Sequence, residues 1–222
     1  AKENKKHIVL PESDDTRILQ AAEFLTRNDI ANITLVGDEK TVFEKATEEK
    51  ISLNNVTVVS TEENKERYAK AYMKKRRHKG VSTDDARELL NDKTYYATMM
   101  VKTGDCDGMV AGASQPTKET FIPSLKVLKD GKDTYVSTYF IMAMDDQILF
   151  FADAALNIDP DEKGLAEIAK NTAKAVETYG KEPRIAMLSF STKGSAHHPL
   201  VDEVREATER VKQTTDYIVD GE

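Results

Sequence analysis

Short apolar runs alternate with charged segments along the first part of the chain. The runs, rich in β-branched residues, are residues 7–10, 33–37 and 56–60. The segment between the first two runs carries apolar side chains on one helical face, namely Ile18, Ala21, Ala22 and Leu25. Strand-like runs that alternate with amphipathic helices are typical of βαβ units, so the pattern predicts a parallel sheet.

The same periodicities predict two helices before the middle of the chain. We expect them over residues 62–77 and 83–100, separated by Gly80. Ser82 or Thr83 is the expected N-cap of the second helix, because acidic residues follow it.

A polar stretch near residue 130 divides the pattern into two parts. Before it, residues 106–114 read as a strand of small residues ending in a polar loop, and residues 121–136 read as a helix and a linker. The Asp-Gly-Lys-Asp stretch at residues 130–133 is the predicted boundary. It gives domains of residues 1–133 and 134–222.

The second part begins with two almost wholly apolar runs separated by Asp145 and Asp146. This spacing predicts a β-hairpin, and apolar residues at nearly every position predict burial on both faces, at the centre of a second sheet. A helix, a strand, a helix and a strand follow, at residues 162–179, 184–191, 198–213 and 216–222. The chain is thus predicted to be an α/β protein of two layered lobes, the second incomplete because no element follows its last strand.

Composition narrows the classes of function. The 222 residues include 32 Lys and Arg against 39 Asp and Glu, which gives a net charge of -7. This charge disfavours a nucleic-acid partner. It also means that a site for anions would need a local concentration of positive charge. Apolar stretches are too short for a membrane span or a signal peptide, so no membrane partner is expected. The single cysteine, Cys106, suits a reducing compartment, and the predicted location is cytoplasmic.

Three segments are candidates for such a local site. Residues 72–80 (YMKKRRHKG) form a dense basic cluster, which is either a solvated helix end or a positively charged site that binds phosphate. Residues 112–120 and 189–199 are polar loops after strands, where open α/β sheets bind ligands, although either could be merely a loop. The loop of residues 189–199 lacks the spacing of a nucleotide-binding P-loop.

Two other features suggest no chemistry. Adjacent residues such as His197 and His198 rarely point at one metal ion, so no metal site is predicted and an exposed loop is expected there. Cys106 has no nucleophile signature and is expected to be a small buried side chain.

Seven segments in one order give the chain a family resemblance over nearly its whole length. They are LPESDDTR, RRHKG, DGMVAGASQPTKET, FADAALNIDPD, EPRIAMLSFSTKGSA, VREAT and VDGE. Together they resemble the phosphotransacetylase family, especially its Gram-positive members.

The resemblance implies a fold, an assembly and a reaction. The fold would be two αβα sandwich lobes of the isocitrate and isopropylmalate dehydrogenase type, in a homodimer with the active site between the lobes. The reaction would convert acetyl-CoA and phosphate to acetyl phosphate and CoA. Coenzyme A would be a substrate, and neither a metal, a permanently bound cofactor nor a covalent enzyme intermediate is expected.

The resemblance also assigns residues. Arg76 matches the family's active-site arginine and is the predicted catalytic residue. The predicted substrate-binding residues are Ser114, Thr117, Lys118 and Thr120 in the first loop, and Ser189, Ser191, Thr192, Lys193, Gly194 and Ser195 in the second. Ile122 stands where the family usually has a second arginine, and the family's general base lies in a part that this sequence lacks.

Three alternatives stay open. A phosphate butyryltransferase would catalyse the same reaction with a longer acyl chain. A non-catalytic acyl-CoA-binding or regulatory domain would fit the isoleucine at position 122. A dehydrogenase sharing the fold ranks last, because no GxGxxG fingerprint follows a strand.

Overall fold

A computed structural model describes residues 2–129, 131 and 134–222, and the chain divides into two compact units, Ala1–Asp130 and Gly131–Glu222. Residues 130, 132 and 133 of the predicted boundary lie outside the described residues. No helix of the described part is long and apolar enough to cross a bilayer.

The first unit is built on a parallel sheet with the order β3-β2-β1-β4. Its strands are β1 (His7–Leu10), β2 (Asn32–Val36), β3 (Val56–Val59) and β4 (Gly108–Met109). Its helices are α1 (Thr16–Arg27), α2 (Glu39–Glu48), α3 (Lys65–Arg76), α4 (Thr83–Leu89), α5 (Lys93–Thr103) and α6 (Thr117–Val127). The parallel βαβ arrangement predicted from the apolar runs is confirmed.

Helices pack on both faces of this sheet. Successive residues of a strand point to opposite faces, and Val9 and Leu10 accordingly belong to two different buried clusters. The cluster of Val9 includes side chains of α3, α4, α5 and α6, whereas that of Leu10 includes side chains of α1 and α2. The first unit is therefore layered as helix, sheet and helix.

The single helix expected over residues 83–100 is wrong, because the chain forms α4 and α5 instead. The Asp92 carboxylate accepts hydrogen bonds from the backbone N–H groups of Thr94, at 2.8 Å, and Tyr95, at 2.9 Å, and so starts a new helix. At the start of α4, Ser82 and Asp85 form a capping box, so Ser82 is the N-cap.

The second unit contains two small sheets and two long helices. Strands β5 (Tyr139–Ala143) and β6 (Ile148–Ala152) pair antiparallel, and β7 (Arg184–Met187) and β8 (Ile218–Gly221) pair parallel. Helices α7 (Glu162–Thr178) and α8 (Pro199–Thr214) pack with β7 and β8 around a core of apolar side chains.

The β5–β6 hairpin forms as predicted, but its expected burial on both faces is wrong. All five residues of β5 are exposed; Phe140 is 57% exposed, and Phe151 of β6 is 54% exposed. Phe150 packs against Tyr139 and Tyr179, while within the described chain β5 and β6 pair only with each other. A continuous apolar run shows that a strand could be covered, but not which element covers it.

Candidate functional site

The basic cluster lies at the end of α3 and in a 3₁₀ turn, Arg77–Lys79, that follows it. Gly80 ends this turn with a φ of 71°, a left-handed conformation that favours glycine. Arg77 and His78 are exposed, and Lys75 Nζ donates to the carbonyl of Lys129 at 2.7 Å. Arg77 and His78 match the interpretation of a solvated helix end, whereas Lys75 is engaged within the protein.

Arg76 differs from Arg77 and His78 because it is half-buried. Its Nε is buried and has no hydrogen-bond partner within the described residues. Burial raises the pKa of the adjacent Tyr72 phenol, while the charges of Arg76 and Lys126 oppose that change. Lys126 Nζ also lies 5.6 Å from the centre of the Tyr95 ring, which stacks edge-on with Tyr72. Two cations, one from α3 and one from α6, therefore flank this pair of tyrosines.

The first polar loop leads directly into α6. Pro116 occupies the N-cap position and gives no side-chain cap, and Thr117 and Lys118 of the first turn are exposed. Thr120 Oγ1 is buried and, like Arg76 Nε, finds no partner in the part of the chain described. Since a Cβ at Gly112 would lie 3.7 Å from this hydroxyl, Thr120 faces the loop. The helix start thus presents N–H groups, a lysine and an unpaired buried hydroxyl, a set that suits an anion.

Ser114 and Ile122 have structural contacts of their own. The Ser114 hydroxyl donates to the Glu12 carboxylate at 3.0 Å, so it is already engaged within the protein. Ile122 is partly buried and packs against the core cluster that contains Tyr72.

The second polar loop belongs to the other unit and follows β7. Its hydroxyls largely bind the loop itself: Ser189 Oγ accepts from Ser191 N at 3.0 Å, and Ser195 Oγ accepts from Thr192 N at 2.8 Å. Lys193 and Gly194 form its turn with φ values of 44° and 86°, and residues 192–195 are exposed. Lys193 Nζ lies 3.6 Å from an Asp220 carboxylate oxygen.

Ser191 is the buried member of this loop. It is 7% exposed; its hydroxyl donates to Glu222 Oε1 at 3.1 Å and accepts from Ala196 N at 3.2 Å. Arg205 also donates to the Glu222 carboxylate, and this bond, against the opposing effect of burial, lowers the Glu222 pKa. Ser191 is therefore tied into a carboxylate–guanidinium pair at the end of β8.

Sequence reasoning missed two carboxylates that hold these loops, Glu12 and Glu222. Glu12 accepts hydrogen bonds from four consecutive backbone N–H groups of the first loop, and Glu222 binds Ser191 of the second. Their motifs, LPESDDTR and VDGE, were visible as family segments, but their partners were not. The ten predicted binding residues and Arg76 thus fall into two groups, one in each unit.

The other candidates have structural roles. Cys106 is 4% exposed, and burial raises the pKa of its thiol to about 11, as expected of a packed side chain rather than a nucleophile. His198 caps α8 by accepting from Leu200 N at 3.2 Å. Among the residues that the structure describes, no three His, Cys, Asp or Glu side chains are arranged to hold a metal ion.

Known proteins resemble this chain in both sequence and structure. A family described as phosphate acetyl/butaryl transferase matches residues 1–222. The phosphate acetyltransferase of Corynebacterium glutamicum is 39% identical, with coverage of 100% of this chain and 68% of that protein. The phosphate acetyltransferase of Nitratidesulfovibrio vulgaris is also 39% identical, over 96% of this chain but only 31% of its own length.

Solved structures agree with these relatives. The EutD phosphotransacetylase from Staphylococcus aureus superposes with a TM-score of 0.89 at 36% identity, covering 100% of this chain and 69% of that one. A branched-chain phosphotransacylase from Enterococcus faecalis V583, at 16% identity and a TM-score of 0.64, shares the fold. The chain spans from about a third to about two thirds of the length of such relatives. The resemblance seen in the seven sequence segments is confirmed: this chain belongs to the phosphate acetyl/butaryl transferase family.

Proposed function

We propose that this chain takes part in the reversible transfer of an acetyl group between coenzyme A and orthophosphate. Family membership supports the reaction, and one observation in the molecule supports the site: the buried Nε of Arg76 has no acceptor within the described residues. A buried guanidinium N–H without an acceptor is costly, and a bound phosphate oxygen would remove that cost. Arg76 is therefore the residue we assign to the phosphate or acyl-phosphate.

The proposed chemistry is direct attack of a thiol on acetyl phosphate. A base removes the proton from the CoA thiol, sulfur forms a bond to the acetyl carbon, and the bond from that carbon to the phosphate oxygen breaks. Phosphate leaves with the bonding electron pair, so negative charge grows on its oxygens as the reaction proceeds. Cations and N–H donors fixed around those oxygens stabilise the transition state more than the ground state.

The family resemblance assigns residues at the start of α6 to the same phosphate site. Thr117 and Thr120 supply hydroxyls, Lys118 supplies a point charge, and N–H groups of the first turn supply donors. The loop of Ser189, Ser191, Thr192, Lys193, Gly194 and Ser195 is assigned to substrate binding by the family resemblance. Because Ser191 is already bonded to Glu222, its contribution is to hold the loop, while residues 192–195 expose their side chains.

The finer properties of the family are proposed in the same way. They comprise two αβα sandwich lobes of the isocitrate and isopropylmalate dehydrogenase type, a homodimer, a cytoplasmic location, and CoA as a substrate without a permanently bound cofactor. The resemblance supports them, and analytical ultracentrifugation tests the homodimer.

The proposal is tested by thiol release from acetyl-CoA in the presence of phosphate. The parent chain is compared with Arg76→Ala and with Arg77→Ala, a matched control because Arg77 is the neighbouring arginine and is exposed. Loss of one transition-state donor predicts a rate about 100-fold lower for Arg76→Ala and an unchanged rate for Arg77→Ala. Equal rates for both variants would contradict the assignment of Arg76.

A second candidate function is an acyl-CoA-binding domain without turnover. Ile122 favours it, because an isoleucine packed into the core gives no hydrogen bond to phosphate. Binding of acetyl-CoA by a chain that releases no thiol would support this function. If turnover is seen, comparison of acetyl-CoA with butyryl-CoA distinguishes the acetyl from the butyryl enzyme.

A further inference from the structure

Glu12 binds the first polar loop in the way that a protein binds an anionic ligand. It follows β1, is 4% exposed, and reaches a loop 100 residues further along the chain. Its Oε2 accepts from Gly112 N at 2.7 Å and Ala113 N at 2.8 Å. Its Oε1 accepts from Ser114 N at 2.7 Å and Gln115 N at 2.9 Å, and from the Ser114 hydroxyl at 3.0 Å.

Four consecutive N–H groups that converge on one anion form a nest, the backbone arrangement that proteins use for phosphate. Here the nest is already filled by a side chain of the same unit. A substrate anion cannot also use these four donors, so it must bind beyond them, at the start of α6.

The first turn of α1 holds the loop at a second point. Arg17 is paired with Asp15, and its Nη2 donates to the carbonyl of Ala113 at 2.5 Å. At a third point, Thr94 Oγ1 of α5 donates to Gln115 Oε1 at 2.9 Å. The loop is therefore fixed through both its N–H groups and its carbonyl and amide oxygens.

We propose that Glu12 is a positioning residue, which holds residues 112–115 and thereby places the first turn of α6 for phosphate. The inference rests on the proposed function, since it concerns the same phosphate site. The link is short: only Pro116 separates the held loop from Thr117, and Thr120 faces Gly112. Glu12 itself does not contact the substrate in this proposal, because both of its oxygens are already used.

Glu12→Gln is the sharpest test, because it keeps shape while removing one acceptor. Whichever way the amide is turned, its NH₂ group faces two backbone N–H donors, so two hydrogen bonds become repulsive contacts. The matched control is Asp38→Asn, since Asp38 also accepts from a backbone N–H, that of Thr41 at 2.9 Å, but at the start of α2. Glu12→Asp, which keeps the charge and both oxygens, is the second variant should Glu12→Gln not fold.

Amide hydrogen exchange by NMR and binding of inorganic phosphate by calorimetry are measured on the 222-residue chain. We expect Glu12→Gln to speed exchange at residues 112–115, 117 and 118 and to weaken phosphate binding, each by about tenfold or more, as loss of hydrogen bonds to a charged group predicts. Glu12→Asp should fall between the parent and Glu12→Gln. Asp38→Asn should change exchange only near Thr41 and leave phosphate binding unchanged.

Two results overturn the proposal. One is that the amide hydrogens of the loop exchange at the same rate in both Glu12 variants as in the parent. The other is faster loop exchange with unchanged phosphate binding, which would make Glu12 merely structural. A parent chain that binds no phosphate contradicts the proposed function instead, and the exchange data alone then decide whether Glu12 holds the loop.

Discussion

The Glu12 carboxylate also predicts how stability depends on pH. Burial alone would raise its pKa, but the four backbone N–H donors together outweigh burial and lower the pKa from 4.5 to about 2. A carboxyl group whose pKa falls this far on folding stabilises the folded state by about 3 kcal/mol at neutral pH. That amount is a large share of the free energy of unfolding of an ordinary domain.

The sign of the pH effect follows from which state binds the proton more tightly. With a lowered folded-state pKa, the stabilisation is complete above about pH 5 and is lost as the pH falls towards 2. At pH 3 only about 1 kcal/mol should remain. The difference in unfolding free energy between the parent and Glu12→Gln should shrink accordingly between pH 7 and pH 3.

Urea unfolding followed by circular dichroism at a series of pH values measures this difference. Other carboxylates that titrate are the same in both proteins, so the difference between them isolates Glu12. Asp38→Asn is again the control. Its free energy of unfolding should differ less from that of the parent, because the Asp38 side chain accepts from one backbone N–H whereas that of Glu12 accepts from four. A difference between the parent and Glu12→Gln that stays constant from pH 7 to pH 3 would refute the reasoning.

Three further substitutions or probes test other parts of the structure. Asp92→Ala should destabilise the chain by about 1 kcal/mol in thermal unfolding through loss of the α5 cap, whereas Glu88→Ala on the exposed side of α4 should change little. Phe140→Ser and Phe151→Ser should each lower the free energy of unfolding by less than about 0.5 kcal/mol, since both rings are exposed. Each substitution should also reduce binding of a hydrophobic dye. A large loss of stability would show that the hairpin is covered. Cys106 should react with a thiol reagent only after urea is added, because burial raises its pKa to about 11, and rapid reaction of the native chain would contradict that burial.

Several strands and one turn were predictable from the sequence, because neighbouring residues determine them. The β-branched runs gave β1, β2 and β3, and two adjacent aspartates gave the β5–β6 turn. The break between α4 and α5 was missed because Asp92 suits a helix interior poorly but is not a strict breaker, and the tertiary context decided. The exposure of the hairpin was missed because an apolar run does not specify what covers it.

The site shows the same division between local and distant causes. Arg76 could be singled out from its neighbours only through the family resemblance, since six basic residues lie in residues 74–79 and the sequence does not show which one turns inward. The structure separates it from them by the burial of its Nε. Glu12 could not be recognised at all, because its partners lie 100 or more residues away in the chain. The residues around an acidic side chain in a turn do not show whether it will accept hydrogen bonds from a distant backbone segment or remain solvated.

Both polar loops predicted to bind anions are held by a carboxylate of their own unit, Glu12 in one case and Glu222 in the other. Backbone N–H groups that face an internal carboxylate are rigid, but they are not free to bind phosphate. For the first loop, the proposed phosphate contacts are therefore groups beyond the held part, such as Thr117 and Lys118. Since the held loops cannot relax around a ligand, substitutions of Glu12 or Glu222 should weaken binding without removing any contact to the substrate.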